Sequence, residues 1–128
     1  MKLMVDRGVV HSVLQTYGKA WMNQDPNLIL TIFTEDATYH ERVLKEPMRG
    51  HKEIRAYWVS KVVEEQDDIK WKLLNVYVDK DTVIAEWDAI FYNNYEQKTI
   101  QIREVAILEF KEEKIASLRE YWHSKRLD

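Results

Sequence analysis

Two glutamates near the C-terminal end sit where a carboxylate is expensive. From Thr99 to Phe110 the residues alternate: Ile100, Ile102, Ala106, Leu108 and Phe110 fall in one row, and Glu104 is the single charge among them. From Ala116 to His123, Glu120 shares a row with Ala116, Leu118 and Trp122. Period-two alternation puts each row on one face of a strand, so each apolar inward face carries one acid. Burying a carboxylate requires a partner, a hydrogen bond or a proton. Pairing Phe110 with Lys114 across a three-residue turn sets Glu104 directly opposite Glu120. Cross-strand neighbours have Cβ atoms about 4.5–5.5 Å apart, too close for both to ionise freely. One protonated and one ionised acid make an acid/base pair. The alternative is that both accept hydrogen bonds from buried Tyr, Trp or Arg side chains and only shape the core. A third acid, Glu41, lies two residues beyond Tyr39, so both project to one face of a short strand, with His40 on the other. Glu41 serves as a pocket base or as a rim carboxylate paired with Arg42 or Lys45.

Aromatic residues supply the surface such acids need. They make up 12% of the chain, and Trp21, Tyr57, Trp58, Trp87 and Trp122 could line a cavity for a flat ligand. Tyr39, Ala106, Leu108 and Leu118 on the inward rows complete the candidate substrate surface. Metal and nucleotide cofactors are not expected. His11, His40, His51 and His123 show no ligand spacing, cysteine is absent, and three glycines cannot form a phosphate loop.

The elements that position these residues divide the chain in two. Val9, Val10, Val13, Leu14, Tyr17, Ala20 and Trp21 recur at helical spacing and predict a helix from about Asp6 to Asn23. Asp25-Pro26 then starts a short second helix carrying Leu28, Ile29, Ile32 and Phe33. Thr34-Glu35-Asp36 breaks it. Ala37 to Arg42 reads as a strand, Pro47–Gly50 as a loop, and about Lys52 to Glu64 as a third helix with Ile54, Tyr57, Trp58, Val62 and Val63. Long alternating segments follow at Ile69–Asp79, Thr82–Tyr92, Lys98–Phe110 and Lys114–Lys125, joined by hairpin turns. Helices followed by antiparallel strands indicate one α+β domain over residues 1–128.

Net charge is −3, with 45% hydrophobic and 32% charged residues. Such a balance offers no basic face for nucleic acid or anionic lipid. The opening MKLMVDRGVV lacks a leader's apolar run, and no segment reaches membrane-spanning length. A cytoplasmic location is the expectation.

The order of Tyr17-xxx-Trp21, Asp25-xxx-Ile29, Phe33-Thr-Glu-Asp-Ala37, Pro47-xx-Gly50 and Ile54-xx-Tyr57-Trp58 resembles the nuclear transport factor 2-like superfamily. Its SnoaL-like branch and the bacterial ketosteroid isomerases are the most similar, over about Val9 to Trp122. The resemblance implies a cone-shaped α+β barrel, with three N-terminal helices packed on a strongly curved, mostly antiparallel sheet around an apolar pocket. Tyr17 falls where ketosteroid isomerases keep the tyrosine that donates to the developing enolate oxygen, and Glu41 where they keep the proton-shuttling carboxylate. Ala106 replaces their protonated aspartate, so the resemblance carries the scaffold further than the reaction. It implies cofactor-free chemistry of isomerase, cyclase, dehydratase or epoxide hydrolase type on an apolar cyclic substrate. Joined to the strand alternation, the expectation is Glu41 or Glu120 as base, with Tyr17 and a protonated Glu104 as donors. Two other functions use the same scaffold. One is a carrier or sensor without chemistry. The other is an interaction module with a filled pocket, whose outer face of Val105, Ile107, Arg119 and Tyr121 docks a partner. A homodimer through that face is expected on the resemblance.

Overall fold

The computed structural model describes residues 5–127; Met1–Met4 of the opening segment and Asp128 lie outside them. Helix α1 spans Arg7–Met22. Asp6 caps it, accepting from the Gly8 and Val9 amides at 2.7 and 3.1 Å, and its stripe of Val10, Val13, Leu14, Tyr17 and Trp21 is buried. At Gly18 the helix lies so close to the Trp71 ring that a Cβ would overlap it.

Two helices are present where three were expected. The Asp25 carboxylate caps as anticipated, accepting from Asn27 and Leu28, but only a single 3₁₀ turn, Ile29–Ile32, follows. The chain must extend at once, because Phe33 already pairs with Ile115. Strand β1 runs Phe33–His40 and so contains Thr34-Glu35-Asp36, which sit in an irregular stretch of the pairing between Phe33 and Thr38. A two-residue strand β2, Met48–Arg49, leads into helix α2, Gly50–Trp58. Gly50 makes that junction at φ +76°, with the Glu35 carbonyl 3.3 Å from where a Cβ would stand. The expected third helix continues past Trp58, but as a π-helical turn over Val59–Glu64.

The rest is β3 (Gln66–Asp79), β4 (Thr82–Asn93), β5 (Lys98–Lys111) and β6 (Lys114–Arg126). They form one mixed six-stranded sheet in the order β2-β1-β6-β5-β4-β3, with β1 and β6 parallel and the other pairs antiparallel. Both helices pack on its inner face, and the core of Leu14, Ile29, Ile54, Trp87, Leu108 and Leu118 lies between them.

The β5–β6 register differs from the expected one. Glu112 and Glu113 both have positive φ, 51° and 69°, and form a two-residue turn that pairs Lys111 with Lys114. A bulge follows, with Phe110 opposite Ile115 and Glu109 opposite Ser117. Ala116 is the extra residue, half-buried between the buried Ile115 and Leu118. The combined shift is two residues. Glu104 therefore lies opposite Trp122 and Glu120 opposite Ala106, so the two acids are diagonal rather than directly paired. A shift of two preserves the face, and both side chains remain inward.

Candidate active site

The inner sheet face and the helices enclose a cavity of about 190 Å³. Its floor is formed by Tyr17, Tyr39, Glu104 and Glu120, which are 1%, 2%, 3% and 8% exposed. Trp21, Tyr57, Trp58, Ile100, Ile102 and Trp122 form the walls. The mouth is charged, with Glu41, Arg42, Lys61, Glu65, Glu96 and Arg126, so the lining is mixed rather than apolar throughout.

Each floor residue comes from a different element. Tyr17 descends from the buried stripe of α1, Tyr39 from β1, Glu104 from the middle of β5 and Glu120 from β6. The Tyr39 hydroxyl donates to Glu120 Oε1 at 2.5 Å, and that of Tyr17 to the same oxygen at 3.4 Å. The two phenol oxygens are 3.0 Å apart. Burial pushes the Glu120 carboxyl up to about 7. The hydrogen bond from Tyr39 opposes that rise, and the nearby Glu41 charge adds to it. Glu104 is raised well above the usual carboxylate range, first by burial and then by the charge and hydrogen bond of Glu120, while Trp87 opposes the rise. At neutral pH the floor thus holds one protonated carboxyl and one that exchanges its proton. Burial, followed by the Glu120 charge, also raises Tyr17, Tyr39 and Tyr57 well above 10, so all three are neutral donors.

Glu41 stands one residue beyond the end of β1. It accepts from the Tyr57 hydroxyl at 2.8 Å and lies 3.6 Å from Arg42 Nε, so it belongs to the cavity and is also a rim ion pair. Arg42 in turn lies over the Trp122 ring, 5.5 Å from its centroid. The structure does not bring Trp87, Ala106, Leu108 or Leu118 to the cavity. All four are fully buried in the core beneath it, where Trp87 lies opposite Glu104 and Tyr17 packs on the Trp87 ring at 4.9 Å.

Several lining residues were not anticipated. Ser124 and Arg126 continue the period-two row of Glu120 and Trp122, a signal that was present in the alternation. Gln66 and Asn93 are buried polar residues at the start of β3 and the end of β4. Gln66 accepts from Trp21 Nε1 at 2.8 Å, and Asn93 donates to Glu65 at 3.3 Å. Gln24, at φ 53°, donates to the carbonyls of Val62 at 3.0 Å and Gln66 at 2.5 Å, tying the π-helical turn to the end of α1. Among the described residues no cluster of three His, Asp or Glu side chains is arranged to hold a metal ion, and no helix is long and apolar enough to cross a membrane.

A six-stranded mixed sheet packed against two helices, with buried acids on the floor of its cavity, defines a small α+β fold. This chain belongs to the SnoaL-like domain family, whose model matches residues 13–118. No curated protein matches it in sequence. Among solved structures it is similar to SalBIII, an epoxide hydrolase/cyclase-like enzyme in pyran ring formation in the polyether salinomycin. That likeness has a TM-score of 0.81 at 22% identity, over 95% of this chain and 98% of that one. A putative isomerase from Bacillus subtilis gives 0.80 at 16% identity, over 94% and 90% of the two chains. An LEH-like epoxide hydrolase from M. tuberculosis gives 0.74 at 15% identity, over 91% and 84%. At these identities the likeness is one of fold.

Proposed function

We propose that this protein is an acid/base enzyme that works with its own side chains on a small cyclic substrate, by isomerisation, cyclisation, dehydration or epoxide opening. The observation that carries this reading is the pair of buried carboxyls, Glu104 and Glu120, on the floor of one cavity with two phenols directed at Glu120. In this reading the Glu120 carboxylate removes a proton from substrate carbon or from a hydroxyl or water nucleophile. Glu104 gives its proton to the oxygen that gains charge, with Tyr17 as a neutral second donor. Return of a proton to Glu104, and loss of one from Glu120, restores the starting state. Groups of this kind each contribute about 10²–10⁴-fold. The cavity volume also limits the substrate. A cavity of about 150 Å³ encloses benzene, so 190 Å³ suits one ring or a compact pair, with any larger part projecting through the mouth.

The test uses 2-cyclohexenone and cyclohexene oxide as probes, in deuterium oxide, followed by proton NMR. Isomerisation, deuterium incorporation or ring opening is expected, with losses of about 10²-fold or more in Glu120→Gln and no loss of melting temperature. Equal rates in wild type, Glu120→Gln and Glu104→Gln would remove both carboxyls from the chemistry.

A further inference from the structure

Gln66, the first residue of β3, is 4% exposed and lines the cavity. The orientation of its carboxamide is fixed. The Trp21 indole can only donate, and it does so to Gln66 Oε1 at 2.8 Å, so the oxygen faces the tryptophan and the NH2 group turns away from it. The backbone is held as well, since the Gln66 carbonyl accepts from Gln24 Nε2 at 2.5 Å.

That NH2 group is left over. Among the described residues Nε2 donates to none, and it is not closed off from the space around it. The polar groups nearby are already committed. Glu65 accepts from Lys61 at 3.1 Å and from Asn93 at 3.3 Å, and the Asn93 side-chain oxygen accepts from the Tyr95 and Glu96 amides at 2.9 and 2.8 Å. An acceptor for Trp21 alone needs no amide, and a nearly buried donor without a partner is costly. The chain therefore presents one oriented, neutral donor to the cavity. Its complement is an oxygen acceptor. The carboxyls of Glu65 and Glu120 oppose an anion, which leaves a neutral carbonyl, ether or hydroxyl oxygen.

Helix α1 relates this donor to the reacting groups. Tyr17, directed at Glu120, and Trp21, directed at Gln66, are one helical turn apart, an axial rise of about 6 Å. Trp58, Val62 and Ile100 add apolar lining. We propose that Gln66 is a specificity-determining residue, its Nε2 donating to a neutral oxygen of the substrate away from the atoms that react at Glu104 and Glu120. The inference rests on the cavity being the ligand site proposed above, and it narrows the substrate from any small ring to one that carries a remote acceptor oxygen. Gln66 takes no part in proton transfer. It holds the ring so that the reacting edge faces the floor.

The test compares 1,4-cyclohexanedione with 4-methylenecyclohexanone, in which a CH2 group of similar shape replaces one oxygen, by proton NMR titration of the intact chain. A site built to donate to an oxygen discriminates against the analogue that lacks it. Gln66→Met keeps the side-chain length and removes the donor. The ratio of the two affinities should favour the dione about ten-fold more in the wild type than in Gln66→Met. A general loosening of the cavity weakens both probes alike and leaves that ratio in place. An unchanged ratio in a folded Gln66→Met protein overturns the Gln66 subsite and leaves the cavity reading intact. If that variant fails to fold, the Gln66 side-chain amide protons of the wild type decide. The dione should move them downfield and the methylene ketone should not; equal shifts overturn the subsite. Failure of both probes and of 2-cyclohexenone to bind overturns the cavity reading and the subsite together.

Discussion

Tyr39 and Glu120 are 81 residues apart in the chain and share a 2.5 Å hydrogen bond between parallel neighbours, β1 and β6. The phenol is the nearest donor to the acid that titrates near neutrality, so it sets how readily Glu120 gives up its proton. Tyr39→Phe removes that donor while keeping the ring. The Glu120 carboxyl should then titrate above about 7, and the rise in any Glu120-dependent rate should move to higher pH. Carboxyl carbon NMR across pH 5–9 reads the shift directly. An unmoved titration would mean that Tyr39 packs against Glu120 without holding its charge.

Stability should fall as pH rises, the reverse of the usual behaviour of carboxylates. Glu120 is raised from an ordinary 4.5 to about 7 by folding, so between those values the folded state holds a proton that the unfolded state has lost. Stability is fullest below about 4.5 for this group and is lost progressively up to about 7, by about 3 kcal/mol. Glu104, also raised by burial and by the Glu120 charge, adds to the decline in the same direction. Urea unfolding at pH 5, 6, 7 and 8 measures the slope. Glu120→Gln, which cannot ionise, should flatten it between 5 and 7 and be the more stable protein at pH 8.

Gly18→Ala should destabilise the fold although it improves helix propensity by about 1 kcal/mol. The added methyl meets the Trp71 ring, which fills the space over the helix backbone. Overpacking of this kind costs about 1–3 kcal/mol, and displacement of Trp71 should alter the tryptophan fluorescence. Wild-type stability in the Gly18→Ala protein would show that the ring moves aside freely.

Glu41→Gln should reduce turnover by less than ten-fold, well short of Glu120→Gln. Glu41 stands at the mouth, held by Tyr57 at 2.8 Å and Arg42 at 3.6 Å, with 21% of its side chain exposed. Side-by-side kinetics on whichever probe turns over decide the point. Equal losses would place Glu41 among the reacting groups.

What could be read from the sequence follows from how local each signal is. Alternation marked β3 to β6 because an inward face repeats every second residue, and the same rule put Glu104 and Glu120 inside. The helix over Arg7–Met22 was equally legible from its stripe and its Asp6 cap. The pairing of the acids was not. It depends on Glu112 and Glu113 both turning through positive φ and on a bulge at Ala116, and none of these residues advertises that geometry. The second helix failed for a non-local reason. Ile29–Ile32 has the apolar spacing of a helix, but Phe33 is claimed by Ile115 at the far end of the chain. Separating Trp87, in the core, from Trp58 and Trp122, at the cavity, likewise required the packed sheet.

The strand order has a consequence for how the molecule comes into being. β6 is the sixth strand in sequence but lies inside the sheet, between β1 and β5. A chain emerging from the ribosome and stopped before Lys114 would lack an interior strand, with two unzipped edges and a half-built cavity. Closing the sheet therefore depends on one thirteen-residue segment, which also delivers Glu120 to Tyr39.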